Sequence, residues 1–545
     1  MNEKNTIKIR SMKNYSKEGY IAKLNEINWN EITSINNVFT GWNKFRSNMT
    51  DIIDSIAPVK EIRVKARTEP WMTGEIMSER KSEMICTTDT EKIHLILICI
   101  KLFANQEIRY KDILIMQKKE FLTHKIAENK NDTKRLWSHL KDLGYSNKTK
   151  EKSNIVLNVN NTMCYDSLTV ANHINELFIN VAYALVSKLP SICTPFGTAS
   201  SKLKQYYADK GITGISLKLK PVTEEFIYKE LISLNESKST GLDGISPRFL
   251  KDGAIILKDP ILHIVNLSIT TGQVPDDLKV ASVTPLYKKN SRLEVGNYRP
   301  VSVLSTVSKI LEKAVYTQVE EYLDSNNLIY QYQSGFRHNC STNTCLVYLT
   351  DYIKHEIGAG NYVGMVALDV QKAFDCVNHE ILCKKLELMG IDSSWFKSYL
   401  SDRSQITNVS GISSEMQKVK CGVPQGSLLG PLLYLCYSND MEISVSCKLI
   451  LYADDSIILV SGKDPKLLEL QLAKELKSVN NWLIENKLSL HPGKCEAIMF
   501  CSKRKSKLVS NFTVKFNDTS ITAKSNIKYL GSVIDQSLSG AENVS

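Results

Sequence analysis

The sequence predicts an α+β fold: a split βαβ sheet with flanking helices, preceded by a mostly helical N-terminal region. Three observations predict it. Lys448–Val460, KLILYADDSIILV, has two apolar β-branched runs broken by a tight polar tip, the pattern of a buried β-hairpin. A strand-like run, Tyr362–Leu368, precedes it, and a second, CEAIMF (495–500), follows it. Helical periodicity fills the intervals, so the order reads β-α-β-β-α-β, with one additional helix after residue 427.

A chain of 545 residues is long enough for several domains, and its 43% hydrophobic content is that of a globular protein. The net charge of +11 suits a polyanionic partner, and much of the excess lies in residues 1–160. Thirteen cysteines are scattered without a CxxC pair, which supports neither a zinc module nor a disulfide framework and points to reduced thiols and an intracellular protein. His491, Cys495 and Cys501 lie close in sequence, but two of them fall in a strand-like run and read as structural. The N-terminus has no apolar signal core, and the most apolar segment, 93–103, is interrupted by Lys101 and too short to span a bilayer. A soluble protein with no membrane partner is expected.

In chain order, residues 1–160 read as Lys- and Asn-rich helices punctuated by Pro58 and Pro70. Apolar positions at Ile93, Leu95, Ile98, Leu102, Leu136, Trp137 and Leu140 suggest packed helices. Lys101, Arg109, Lys111, Lys118 and Lys119 either face RNA or form a solvated face. Residues 151–222, with CTPFGTASS at 193–201, read as a loop-rich joint with one helix near 168–188, and a domain boundary is placed at 215. A helix over 223–234 leads to Ser246-Pro247, an N-cap with proline at N1. VASVTPLYKK (280–289) is a strand ending in two lysines, with Arg299 beyond a Gly-Asn break. Basic groups on neighbouring strands are what a triphosphate requires.

Asp369 stands at the carboxyl end of the 362–368 run, and a helix-like pattern with Val377, Ile381, Leu382 and Leu386 follows. Asp375 reads as a cap or solvated residue at that helix start, without chemistry. Asp454-Asp455 alone would be ordinary turn chemistry. Between two core runs, and opposite a third carboxylate at a strand end, the pair can hold two hard divalent cations for phosphoryl displacement. Further on, Asp464-Pro465 opens a helix whose stripe is Leu468, Leu472, Leu476, Val479 and Leu483.

The ordered set KSTGLDGISPRFLK (238–251), NYRPVSVLSTVSKILEK (297–313), QSGFRHNCSTNTCL (333–346), ALDVQKAFD (367–375), GVPQGSLLGPLLY (422–434), YADD (452–455) and IKYLGS (527–532) resembles the reverse transcriptases of non-LTR retrotransposons, the jockey and CR1-like group. The resemblance implies the fingers and palm of a right-hand polymerase, an RNA-directed DNA polymerase acting on an RNA template, a DNA primer and dNTPs. It implies two Mg²⁺ ions, with Mn²⁺ able to substitute, on Asp369, Asp454 and Asp455. Lys288 (or Lys289) and Arg299 would hold the incoming triphosphate and Arg337 a phosphate. Phe374 would lie beneath the sugar; without the resemblance it reads as a core ring on an amphipathic helix. Gln425 and Gly426 would shape the nucleotide pocket, and Lys494 would serve as proton donor near the pyrophosphate.

The same resemblance divides the chain into 1–215, a helical basic linker region that in the family lies between endonuclease and polymerase; 216–535, the reverse transcriptase domain; and 536–545, the start of a thumb or tail. The family's endonuclease motif and most of its thumb are expected to be missing. The alternative reading is a catalytically silent RNA-binding relic, and a viral RNA-dependent RNA polymerase is disfavoured by YADD and Phe374.

Overall fold

The computed structural model describes residues 6–63, 155–159, 161–190, 196–502, 512–517 and 519–540, with short helical pieces between 115 and 128. The apolar run 93–103, Leu136, Trp137 and Leu140, and the bases Lys101, Arg109, Lys111 and Lys118 lie outside the described residues. The chain divides into two units. In one, Met1–Ile9 with Val59–Ser153, the strands Thr6–Arg10 and Val59–Arg63 pair. The other, Arg10–Pro58 with Asn154–Ser545, holds everything described below.

Its centre is a four-stranded antiparallel sheet in the order Lys448–Tyr452, Asp455–Gly462, Tyr362–Asp369, Glu496–Phe500. This is the predicted strand set at nearly the predicted bounds, and it makes the fold α+β. The middle strand reads as a continuous apolar run because both of its faces are covered. Val366 and Leu368 join Leu449, Leu451, Ile458 and Met499 in one core, closed by the stripe Leu468, Leu472, Leu476 and Val479 of helix Pro465–Glu485. Val363 and Met365 join Ile450, Ile457, Leu459 and Phe500 in a second core, closed by Leu349 and Ile353 of helix Thr342–Gly358. Alternate strand residues feed opposite cores, as a period of two dictates. Gly364 marks the closest approach: a Cβ there would stand 2.8 Å from Leu472 Cδ1.

A second sheet has Val280–Tyr287 at its centre, antiparallel to Tyr298–Val303 and parallel to Ser404–Val409. Helix Leu429–Ser438 follows the Gly/Pro loop, as expected, and is buried along its length.

One expectation fails, and packing crosses residue 215. Tyr20, Leu24, Trp42, Phe45 and Tyr207 share one cluster with Leu257, Ile261 and Ile264. Charge and Asn content described the exposed faces of these helices and concealed their aromatic stripe. The loop-rich joint holds a second helix, Phe196–Asp209, beside Ser167–Val186. Burial of Leu203 and Tyr207, with Asn439 Nδ2 donating to Tyr207 Oη at 3.0 Å, overrides its Ser/Thr-rich start. Among the described residues one helix, Ala254–Thr271, is long and apolar enough to cross a membrane, yet its Leu257, Ile261, Ile264 and Val265 are buried in the core.

Candidate active site

The central strand delivers Asp369 to its last position, and register places Asp455 directly opposite. Tyr452 pairs with Asp455, so Ala453 and Asp454 form a two-residue turn. Opposed residues on antiparallel strands share a face with their Cβ atoms about 5 Å apart, and like charges there repel. Burial raises the pKa of Asp454, with Asp369 adding to the rise. Burial, then Asp454 and Asp369, push Asp455 up to about 6. The folded chain thus holds this pair at an electrostatic cost that a cation would remove.

Positive charge faces the trio. Lys288 follows the strand Val280–Tyr287, its backbone N–H donating to Asn297 O at 2.9 Å, and Arg299 pairs in register with Leu286 on the neighbouring strand. Arg299 and Lys288 both draw the Asp454 and Asp455 values down, against the dominant effect of burial. Desolvation first, then Arg299 and Lys289, lower Lys288, while Asp369 favours its charge. Lys494 ends a short 3₁₀ turn, its Nζ 3.7 Å from Asp369 Oδ2, both side chains about half exposed. His491 N–H donates to Asp369 O at 2.8 Å and anchors that turn to the strand end. The structure therefore brings Asp369, Asp454, Asp455, Lys288, Arg299 and Lys494 into one field. Among the described residues no three His, Cys, Asp or Glu side chains already close into a metal-holding group. The three carboxylates suit hard cations by their chemistry, all-oxygen and anionic.

Phe374 is half-buried, stacked on Tyr434 with centroids 4.6 Å apart and edge-on to Phe336 at 6.0 Å. Its carbonyl accepts from Val423 N–H at 2.9 Å, so the Gly/Pro loop is pinned to it. Gln425 is engaged within the protein: its amide donates to Asp375 Oδ1 at 2.8 Å, and its carbonyl accepts from Ser302 N–H at 2.7 Å. Asp375 is thus no helix cap. Asn378 caps the following helix, accepting from Ile381 N–H, and burial raises the Asp375 pKa. Gly426 sits at φ 123°, and a Cβ there would stand 2.4 Å from Ser302 O. Arg337 turns inward: Nη1 lies 3.4 Å from both Tyr330 O and Gln333 O, and Nη2 4.0 Å from Asp324. The Cys495 thiol donates to His491 O at 3.5 Å, a local backbone contact.

Sequence reasoning missed the support beneath the hairpin tip. Ala453 is left-handed at φ 57°, Gln333 is buried beside it, and a Cβ on Gly335 would stand 2.2 Å from Ala453 N. The glycine of the QSGF stretch was the one available signal, since glycine marks close backbone approach.

Residues 287–534 match the reverse transcriptase (RNA-dependent DNA polymerase) family. The chain is 28% identical over 391 residues to the RNA-directed DNA polymerase from mobile element jockey of Drosophila funebris, covering 68% of this chain and 40% of that protein. It is 28% identical over 335 residues to the probable RNA-directed DNA polymerase from transposon BS of Drosophila melanogaster, covering 59% and 37%. It is 25% identical over 330 residues to the probable RNA-directed DNA polymerase from transposon X-element of the same species, covering 58% and 36%. The chain thus spans less than half the length of each of these relatives. The motifs, the opposed carboxylates at the strand ends and these matches agree: residues 287–534 match the reverse transcriptase family and are similar to the RNA-directed DNA polymerases of mobile elements.

Proposed function

We propose that the chain is an RNA-directed DNA polymerase that adds dNTPs to the 3′-hydroxyl of a DNA primer on an RNA template. The observation that carries the proposal is the direct register of Asp455 with Asp369, one residue from Asp454, inside a field set by Lys288 and Arg299. In this reading the central sheet is the palm and the sheet of Val280–Val303 belongs to the fingers, within a polymerase domain of 216–535. Residues 1–215 and 536–545 are its flanking linker region and tail, with helices of the linker region packed into the domain's own core. Asp369, Asp454 and Asp455 would hold divalent cations, Mg²⁺ with Mn²⁺ able to substitute, which when bound supply positive charge to the attacking and leaving oxygens.

The chain's own groups do the rest. Lys288 and Arg299 bind and orient the triphosphate. Lys494, beside Asp369, is placed to deliver a proton to the departing pyrophosphate. The loop of Gln425 and Gly426 packs against the end of strand Tyr298–Val303, and so couples the triphosphate side to the sugar side of the site. Arg337 acts through the loop it braces. All three carboxylates stand together, which favours a working polymerase over a silent relic. Primer extension on poly-rA and poly-dA templates with Mg²⁺ or Mn²⁺ tests the proposal. Incorporation of dNTPs on RNA is expected, and its absence with folded protein on both templates overturns it.

Phe374 tests the sugar side. Its ring packs against Tyr434 and Phe336, and in this reading it excludes a 2′-hydroxyl by clash. Phe374→Val is expected to raise ribonucleotide use far more than it lowers dNTP use, read as the ratio of kcat/KM for dNTP over rNTP. A core ring alone would instead give an unchanged ratio and a loss of about 1–4 kcal/mol of stability.

A further inference from the structure

We infer that Gln333 is a positioning residue for the carboxylates: its buried amide sets the backbone of the hairpin tip that carries Asp454 and Asp455. The inference rests on the polymerase reading above. Gln333 is only 3% exposed. Its Oε1 accepts from Ala453 N–H at 3.0 Å and from Gly335 N–H at 2.8 Å. The chain on either side of it lies along the hairpin: Leu451 N–H donates to Tyr332 O at 3.0 Å, and Ser334 N–H donates to Leu451 O at 2.9 Å.

These contacts answer a specific need. Ala453 sits at φ 57°, a region that L-residues other than Gly, Asn and Asp visit rarely and that the surroundings must enforce. The bond from its own N–H to Gln333 is that enforcement. The loop backbone packs so closely beneath the tip that a Cβ on Gly335 would stand 2.2 Å from Ala453 N. With the acceptor gone, a buried N–H is left unpaired, and the turn is driven toward a geometry that satisfies it. Asp454 and Asp455 lie next along the chain and move with the turn, away from Asp369. The same loop reaches the sugar side: Phe336, at φ 55°, meets Phe374 edge-on. Gln333 touches none of the three carboxylates through a hydrogen bond among its described contacts, so it acts on them through the backbone.

The test compares Gln333→Met, which keeps the length and loses the acceptor, with Gln333→Glu, which keeps an acceptor oxygen. Mn²⁺ binding is followed by electron paramagnetic resonance without nucleotide. Primer extension is measured against Mg²⁺ and dNTP concentration, with a thermal melt for each protein. Gln333→Met is expected to weaken Mn²⁺ binding and lower kcat by about 10–100-fold, with KM for dNTP little changed, while Gln333→Glu stays near the wild type. A Met variant with a lowered melt but unaltered Mn²⁺ affinity and Mg²⁺ dependence overturns the inference, as does equal loss in both variants. If the Met variant does not fold, the folded Glu variant decides: retained Mn²⁺ binding supports the acceptor role, and a tenfold or greater loss overturns it. Wild-type protein that neither binds Mn²⁺ nor extends primers overturns the polymerase reading and this inference with it. Wild-type activity matched by the Met variant removes the inference alone.

Discussion

Asp369→Asn and Asp454→Asn are each expected to lower primer extension by about 10³-fold or more, while binding of RNA survives. In the proposed polymerase the lost groups would act on charge that develops only during nucleotidyl transfer, so ground-state contacts to a template backbone would be untouched. Stability should move the other way at Asp455. Its pKa is raised in the fold to about 6, above the unfolded value of 3.8. For a carboxylate the ionised form is then the costly one: the native state gains least above pH 6, and stability falls as pH rises from about 4 to 6. Asp455→Asn is therefore expected to melt at the same or a higher temperature than wild type at pH 7 in chelator, and to lack the rise in melting temperature with Mg²⁺ that is expected of the wild type. The comparison is one melting series with and without Mg²⁺, run beside extension and filter-binding assays. Near-normal incorporation by the Asp369 or Asp454 variant removes the site assignment. An Asp455 variant that melts lower than wild type in chelator removes the electrostatic account.

Lys385→Met is expected to cost about 3–5 kcal/mol of stability. Lys385 is 1% exposed, and its ammonium donates to Asp440 Oδ1 and to Tyr437 O, each at 2.6 Å. It also lies 4.8 Å from the ring centres of Tyr437 and Trp482, and Trp482 Nε1 donates to Asp440 Oδ2 at 3.3 Å. One buried pair thus joins the helices His379–Leu388, Leu429–Ser438 and Pro465–Glu485 behind the sheet. Removing the lysine strands a buried carboxylate. Removing both charges does not: Lys385→Met with Asp440→Asn should recover most of the loss, because the desolvation cost leaves with the attraction. Urea unfolding of wild type, both single variants and the double variant supplies the cycle, read at constant m. A single variant within about 1 kcal/mol of wild type would show that the pair is solvated.

Local sequence pattern was enough to specify the central sheet. Period-two apolar runs of the right length, broken by Asp454-Asp455 and ended by Asp369, have few other ways to bury both faces, and the observed bounds fall within a residue or two of those expected. It also determined which charges would meet, because strand ends and hairpin tips are fixed once the strands are. Helix Pro465–Glu485 was legible for the same reason, from its Asp464 cap and its leucine stripe. What local pattern does not encode is the identity of a polar side chain's partner. Lys385 looks like any lysine on an amphipathic helix until Asp440, distant in sequence, is folded over it. Gln425 looks like a ligand to a nucleotide until Asp375 is found within 2.8 Å. Gln333 and the left-handed Ala453 become meaningful only when two segments more than a hundred residues apart lie side by side. Burial changes the energy of a polar group more than its own chemistry does, and burial is a property of the whole chain's packing. Hence the carboxylates could be read from the sequence, while the polar groups packed around them emerged only from long-range packing.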